Sequence, residues 1–261
     1  MTRSIGIVGQ GRAGRAFAQA LEQLGWDVHV VVRSQLSAAV LARLADSVDI
    51  VLLCVPDGAI ADVVSAFDPE SLDDDVVLVH CSGASGLEVL SPAVRRASLH
   101  PLVSLTDDLG SAQRLTGAYF AVAGDPAASA IASALAGHVI HVNDSDRAIY
   151  HAGAAIASNH LVALLAQVES IADRLSLPLE AFLDLARGSL ENTSRLGPAV
   201  ALTGPVSRGD LSTVEGHIRA FGNHGLEEEL DAYLALARRA AVLAGRDPSE
   251  IDQLVDGATP E

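Results

Sequence analysis

Through residue 142, short unbroken Val/Leu/Ile runs alternate with Ala-rich segments whose apolar positions recur at helical spacing. This pattern predicts strands over residues 4–8, 27–32, 49–55, 76–80, 97–100, 119–123 and 139–142, with helices over 12–24 and 127–136. Strands written as continuous apolar runs, without alternation, belong to a sheet covered by helices on both faces, so an open parallel α/β sheet is expected. The character changes after Val142. Asn143, Asp144, Ser145 and Asp146 form a polar cluster with cap chemistry, and from there almost everything carries the helical period. A long helix over 145–175 is followed by one that Pro178 opens and Gly197-Pro198 ends near Leu196. A loop over 202–210 precedes a helix capped by Asp210 and a last one over 227–244. The reading is an open parallel α/β sheet domain, 1–143, followed by an all-helical domain, 144–261.

Composition narrows the function. The 261 residues hold 17 basic and 33 acidic side chains, a net charge of −16, and every basic residue is Arg. Such a surface repels nucleic acid and anionic membrane, and neither is expected as a partner. Aromatics are 3% of the chain, so core volume comes from Ala, Val, Leu and Ile. Cys54 and Cys81 lie in apolar runs without metal spacing and read as buried, reduced thiols. The N-terminus lacks a secretory pattern, and the most apolar later stretch, 152–166, is interrupted by Asn159 and His160 and short for a bilayer. A soluble, cytoplasmic protein is the expectation.

The most informative motif is Gly9-Gln10-Gly11-Arg12-Ala13-Gly14, G-x-G-x-x-G placed after an apolar strand and at the start of a helix. The first glycine allows the tight turn, the second lets backbone approach a pyrophosphate, and the third lets helix pack on strand. The phosphates would lie on N–H groups at the helix N-terminus. An NAD site has Asp or Glu about 20 residues further on to hold the ribose hydroxyls. Here that place reads Val32-Arg33-Ser34. Arg33, with Ser34 and with Arg12 in the loop, would pair instead with the extra phosphate of NADP. Val55 and Pro56, after the third strand, would brace the cofactor in the crevice.

The segments GIVGQGRAG (6–14), CVPDGAI (54–60), HCSGASGLEVL (80–90), SLHPLVS (98–104), YHAGAAIASNHLVAL (150–164) and ALTGPVSRGD (201–210) resemble a family in which a Rossmann-like domain is fused to a helical C-terminal domain of unknown function. In domain layout that family is distantly similar to 6-phosphogluconate dehydrogenase, pyrroline-5-carboxylate reductase and ketopantoate reductase. The resemblance implies an NADP-dependent oxidoreductase, usually dimeric, with an unassigned substrate. His100 resembles the His-Pro histidine of prephenate dehydrogenases, which bonds the reacting hydroxyl. Dehydrogenases of this layout carry a Lys and an Asn on the helix facing the nicotinamide, and this chain departs from them in having no Lys.

The proton for a reduced carbonyl would then come from His, Tyr or water. His100 is the first candidate, His151 the reserve, Ser82 a group to orient the histidine, and Asn159 a grip on a substrate carbonyl or the carboxamide. His80 reads as a strand-end residue. Arg208 would clamp a substrate carboxylate or pair with Asp210 to fix its loop. The expected activity is reduction of a small oxo acid, ketopantoate-like, or an imine by hydride transfer. The competing reading is a dinucleotide-binding sensor or scaffold without turnover, and a deazaflavin-linked reductase is a further option. The slim, apolar helical region is expected to build a homodimer.

Overall fold

The computed structural model describes residues 3–68, 72, 75–107 and 110–258. The chain forms two compact units, 1–158 and 159–261. The division falls inside the π-helical turn Ile156–His160, beyond the polar cluster at 143–146 where the sequence changes character.

The first unit holds seven strands: β1 (Ser4–Val8), β2 (Asp27–Val31), β3 (Ile50–Leu53), β4 (Val77–His80), β5 (Arg95–Pro101), β6 (Tyr119–Gly124) and β7 (His138–His141), in the order β2-β1-β3-β4-β5-β6-β7. β2 through β5 pair in parallel, and β6 and β7 pair in parallel with each other. β5 and β6 are antiparallel, a departure from the wholly parallel sheet expected. Between them the only described helical element is the 3-10 turn Gln113–Leu115. Without a crossover helix the chain returns along β5 instead of re-entering from the same end.

Helices α1 (Arg12–Gln23), α2 (Ala38–Ser47), α3 (Ile60–Ser65) and α4 (Ala127–Ala134) cover the sheet. On one side Ala16, Phe17, Ala20 and Leu21 of α1 and Ile131 and Leu135 of and beside α4 pack on Ile5, Ile7, Leu52, Val79 and Phe120. On the other Leu41, Leu44, Ile60 and Val64 pack on Val8, Val51, Leu53 and Leu78. Each fully buried Leu, Ile or Phe contributes roughly 1.5–3 kcal/mol, which fixes the strand ends where the site is built. Leu44 seats directly against Gly6, where a Cβ would lie 2.8 Å from its side chain. The unit closes with α5 (Arg147–Ala155).

The second unit comprises α6 (Leu161–Arg174), α7 (Leu179–Leu196), the single turns α8 (Pro198–Ala201) and α9 (Pro205–Arg208), α10 (Leu211–Asn223), α11 (Leu230–Leu243) and α12 (Ser249–Ala258). The sequence reads 202–210 as loop throughout, whereas Pro205 starts the short turn α9 within it. The unit's core is Val214, Ile218, Leu234, Ala237, Ala241 and Ile251. No residue of α7 is buried. The helical run Asp144–Arg174 spans 31 residues, and its most apolar window has a mean hydropathy of 1.3 with none of it buried. By length and composition this run reaches what a membrane crossing needs, so the shortness seen in 152–166 does not hold for the whole run.

Candidate functional site

β1 delivers the glycine loop to the carboxyl edge of the sheet. Gly9 has φ +108°, and a Cβ there would lie 2.3 Å from the Cys54 carbonyl oxygen. At Gly14 a Cβ would lie 2.0 Å from the Gly9 carbonyl oxygen, so two of the three glycines are required by the protein's own packing. Gly11 is different: a Cβ there meets no protein atom within 4 Å, and the space beyond it is open. No side chain caps α1, leaving its first N–H groups without a protein partner of that kind. An open second glycine at an uncapped helix start fits a pyrophosphate, and this fit is independent of any resemblance.

Two cavities meet at this loop and share Gly11, Cys54 and Pro56. One, of about 480 Å³, has Gly9, Gln10, Arg33, Leu36, Val55 and Asp62 in its wall. The other, of about 410 Å³, is bounded by Arg12, Ala13, Cys81, His100, Val103 and Leu105. Arg33 is exposed on the first, at the start of a 3-10 turn whose Gln35 side chain accepts from the Val32 N–H at 3.2 Å. Ser34, in the same turn, is exposed and does not line the cavity. Arg12 reaches across to donate to the Leu105 carbonyl at 3.4 Å, which ties the β5–β6 connection to the glycine loop. Asp62, on α3, was not sought by sequence reasoning because it stands far beyond the ribose-binding spacing.

Below the second cavity lies a polar cluster made by β4, β5 and α5. The His100 Nδ1 lies 2.6 Å from the Tyr150 hydroxyl, and the His151 ring stands edge-on to His100 at 5.9 Å. Gly83 admits both rings: a Cβ there would lie 2.6 Å from His151 and 2.9 Å from the His100 Nε2. Burial, with His151 second, lowers the His100 pKa to about 4. Burial pushes the Tyr150 phenol up to about 12, so at neutral pH the imidazole is neutral and the phenol protonated. Tyr150 then donates to Nδ1, leaving the His100 proton on Nε2. His100 is thereby held as a neutral imidazole whose Nδ1 accepts from the Tyr150 phenol.

Ser82 is also reassigned. Its hydroxyl accepts from the N–H groups of Ala84 and Ser85 and donates to the Ser85 hydroxyl at 3.0 Å, so it builds the turn after β4 and does not orient His100. His80 is fully buried, its Nδ1 accepts from the Ser82 N–H, and its Nε2 has no partner among the described residues. Burial, with Arg147 second, lowers its pKa to about 4. Arg147 is 1% exposed, donates to Asp144 at 2.9 Å and to the Ser98 hydroxyl, and holds Nη1 without a described partner. Asp144 in turn accepts from the Leu87 N–H at 2.9 Å. Tyr150, Arg147 and Asp144 were missed because their partners His100, Ser98 and Leu87 stand far away in sequence, and no local motif marks them.

Asn159 and Arg208 belong to the second unit, and both are exposed. Asn159 lies in the π-helical turn Ile156–His160. Arg208 ends α9, and Asp210 caps α10 by accepting from the Thr213 N–H and hydroxyl; those bonds hold its carboxyl below the usual range, with the Arg208 charge a smaller cause. Among the described residues no cluster of three or more His, Cys, Asp or Glu side chains could hold a metal ion.

Two domain families match the chain: a Rossmann-like domain over residues 1–104 and a domain of unknown function, DUF2520, over 118–240. The second begins within the sheet unit and takes in β6 and β7 as well as the helices. No curated protein matches significantly. Among solved structures, protein TM1727 from Thermotoga maritima is 26% identical, with a TM-score of 0.69 over 92% of this chain and 98% of that one. A candidate NADP oxidoreductase from Bacteroides fragilis, BF3122, is 21% identical, with a TM-score of 0.67 over 93% and 96%. A reductive aminase from Aspergillus terreus, in complex with NADPH and ethyl levulinate, is 18% identical, with a TM-score of 0.68 over 99% and 100%.

Proposed function

We propose that this chain, a Rossmann-like domain carrying a DUF2520 domain, is an NADP(H)-dependent oxidoreductase that reduces the C=N or C=O group of a small molecule. One observation carries the reading: the glycine loop stands between two cavities, with Arg33 on one and His100 on the other. Gly9, Gln10, Gly11, Arg12 and Ala13 would hold the pyrophosphate, Arg33 the extra phosphate with Ser34 beside it, and Val55 and Pro56 the walls. The fold shared with BF3122 and with the NADPH-bound reductive aminase supports the same cofactor.

When bound, a reduced nicotinamide supplies the hydride. The remaining requirement for a carbonyl is a proton on the oxygen, and the chain offers Nε2–H of His100. As that proton leaves, the imidazole recovers one at Nδ1 from the Tyr150 hydroxyl 2.6 Å away. A pre-protonated imine needs no such donor, and a neutral His100 does not repel its charge. Asn159 and Arg208 stand as substrate-binding candidates on the helical unit, as an imine or an oxo acid would require. His151 supports the His100 ring and is the reserve donor.

The helical region supports a second proposal, a homodimer. Leu185 and Val200 are 69% and 70% exposed, and no α7 residue is buried, so a large apolar face lacks a cover. The exposed window of Asp144–Arg174 belongs to the same pattern and argues for a protein partner over lipid, since the run carries the exposed Asn159 and His160.

NADPH oxidation over a panel of cyclic imines and 2-oxo acids tests the activity. Turnover is expected, with His100→Ala about 100-fold slower at nearly unchanged NADPH affinity. NADPH binding without turnover across the panel would instead favour the sensor or scaffold.

A further inference from the structure

Cys54 and Cys81 are the chain's two cysteines. Each follows a strand directly, and the β3–β4 register pairs Leu53 with His80, which puts the next residues side by side. The Cys81 N–H donates to the Leu53 carbonyl at 3.2 Å, so the ladder extends to this pair. Neighbouring strands lie about 4.8 Å apart, inside the roughly 4.4–6.8 Å Cα range of a disulfide. The two sulfurs are 3.6 Å apart. Both residues also line the cavity bounded by Gly11, Arg12 and His100, which opens them to small solutes.

We propose that Cys54 and Cys81 form a cavity-lining dithiol, a modification site at which a small hydroperoxide produces an intramolecular disulfide. The Cys54 sulfur attacks the peroxide and breaks its O–O bond, giving a Cys54 sulfenic acid and releasing an alcohol, or water from hydrogen peroxide. The Cys81 sulfur then attacks the sulfenic sulfur, the S–S bond forms, and the hydroxyl leaves as water with the Cys81 proton. Both thiols are oxidised by two electrons together and the peroxide is reduced by two. The Cys54 side chain, with burial second, pushes the Cys81 thiol up, so Cys81 keeps its proton until it resolves the sulfenic acid. Neither residue is needed for the reductase reading, and the site stands without it.

Intact-mass measurement of the full chain at micromolar concentration, before and after a modest excess of hydrogen peroxide, tests the proposal. The expected product is a monomeric chain that has lost two hydrogen atoms, has no titratable thiol, and is restored by dithiothreitol. Cys81→Ser is expected to stop at one added oxygen, trapped by dimedone, because the resolving thiol is gone. Oxygen addition to the wild-type chain without hydrogen loss, two thiols still titratable, or a disulfide between chains on a non-reducing gel would each overturn it.

Discussion

At the scale of single residues, the site is built from groups kept neutral by burial beside a buried guanidinium. His80 and His100 each titrate near 4 in the folded chain and near 6.5 when unfolded. Between these values the unfolded chain binds more protons, so stability rises with pH through the window and is lost as pH falls from about 6.5 toward 4. Each histidine contributes a slope of up to about 1.4 kcal/mol per pH unit. Urea unfolding between pH 7 and pH 4.5 is expected to show this fall. His80→Asn, which keeps an acceptor for the Ser82 N–H, should make it shallower whatever its effect at pH 7; an unchanged slope would contradict the assignment. His100 was legible in the sequence because it stands at a strand's carboxyl end. Its partner was not: Tyr150 looks like one more residue of an apolar helix. Only the docking of α5 on β5, through Arg147 and Ser98, brings the phenol to the imidazole.

At the scale of elements, the glycine loop separates what the fold needs from what a ligand needs. Gly14→Ala drives a methyl into the Gly9 carbonyl and is expected to cost about 1–3 kcal/mol or more by overpacking. Gly11→Ala meets no protein atom and should cost less than about 1 kcal/mol, the difference between Gly and Ala at a helix N-cap. It should nevertheless weaken NADPH binding by about tenfold or more, since the methyl fills the space meant for phosphate. Thermal melts with and without NADPH read both quantities, because ligand stabilisation follows affinity. The loop, its strand and α1 were all legible from spacing. The reversal of β6 was not, because an apolar run of the same composition serves a parallel or an antiparallel neighbour equally. The turn built by Ser82 was hidden for a similar reason: a serine after a strand is written alike whether it faces a ligand or its own backbone.

At the scale of the whole molecule, a chain with a long, amphipathic α7 that buries no residue is expected to be a dimer, and light scattering at micromolar concentration should give twice the chain mass. Leu185→Lys, on the exposed face, should shift it to monomer without unfolding it. A wild-type monomer with intact helices would contradict this. The sequence shows where the chain turns helical, but the compact units part at 158–159, since the start of that helical stretch stays with the sheet. The proposed activity rests on NADP(H) at the glycine loop, with Arg33 on the extra phosphate. Fluorescence titration of the wild-type chain and of Arg33→Asp with NADPH and NADH tests it most directly. Wild type is expected to bind NADPH about tenfold or more tightly than NADH, the value of a charge-assisted phosphate contact, and Arg33→Asp to erase or reverse that preference. Equal affinities left unchanged by Arg33→Asp, or no binding of either nucleotide, would contradict the account.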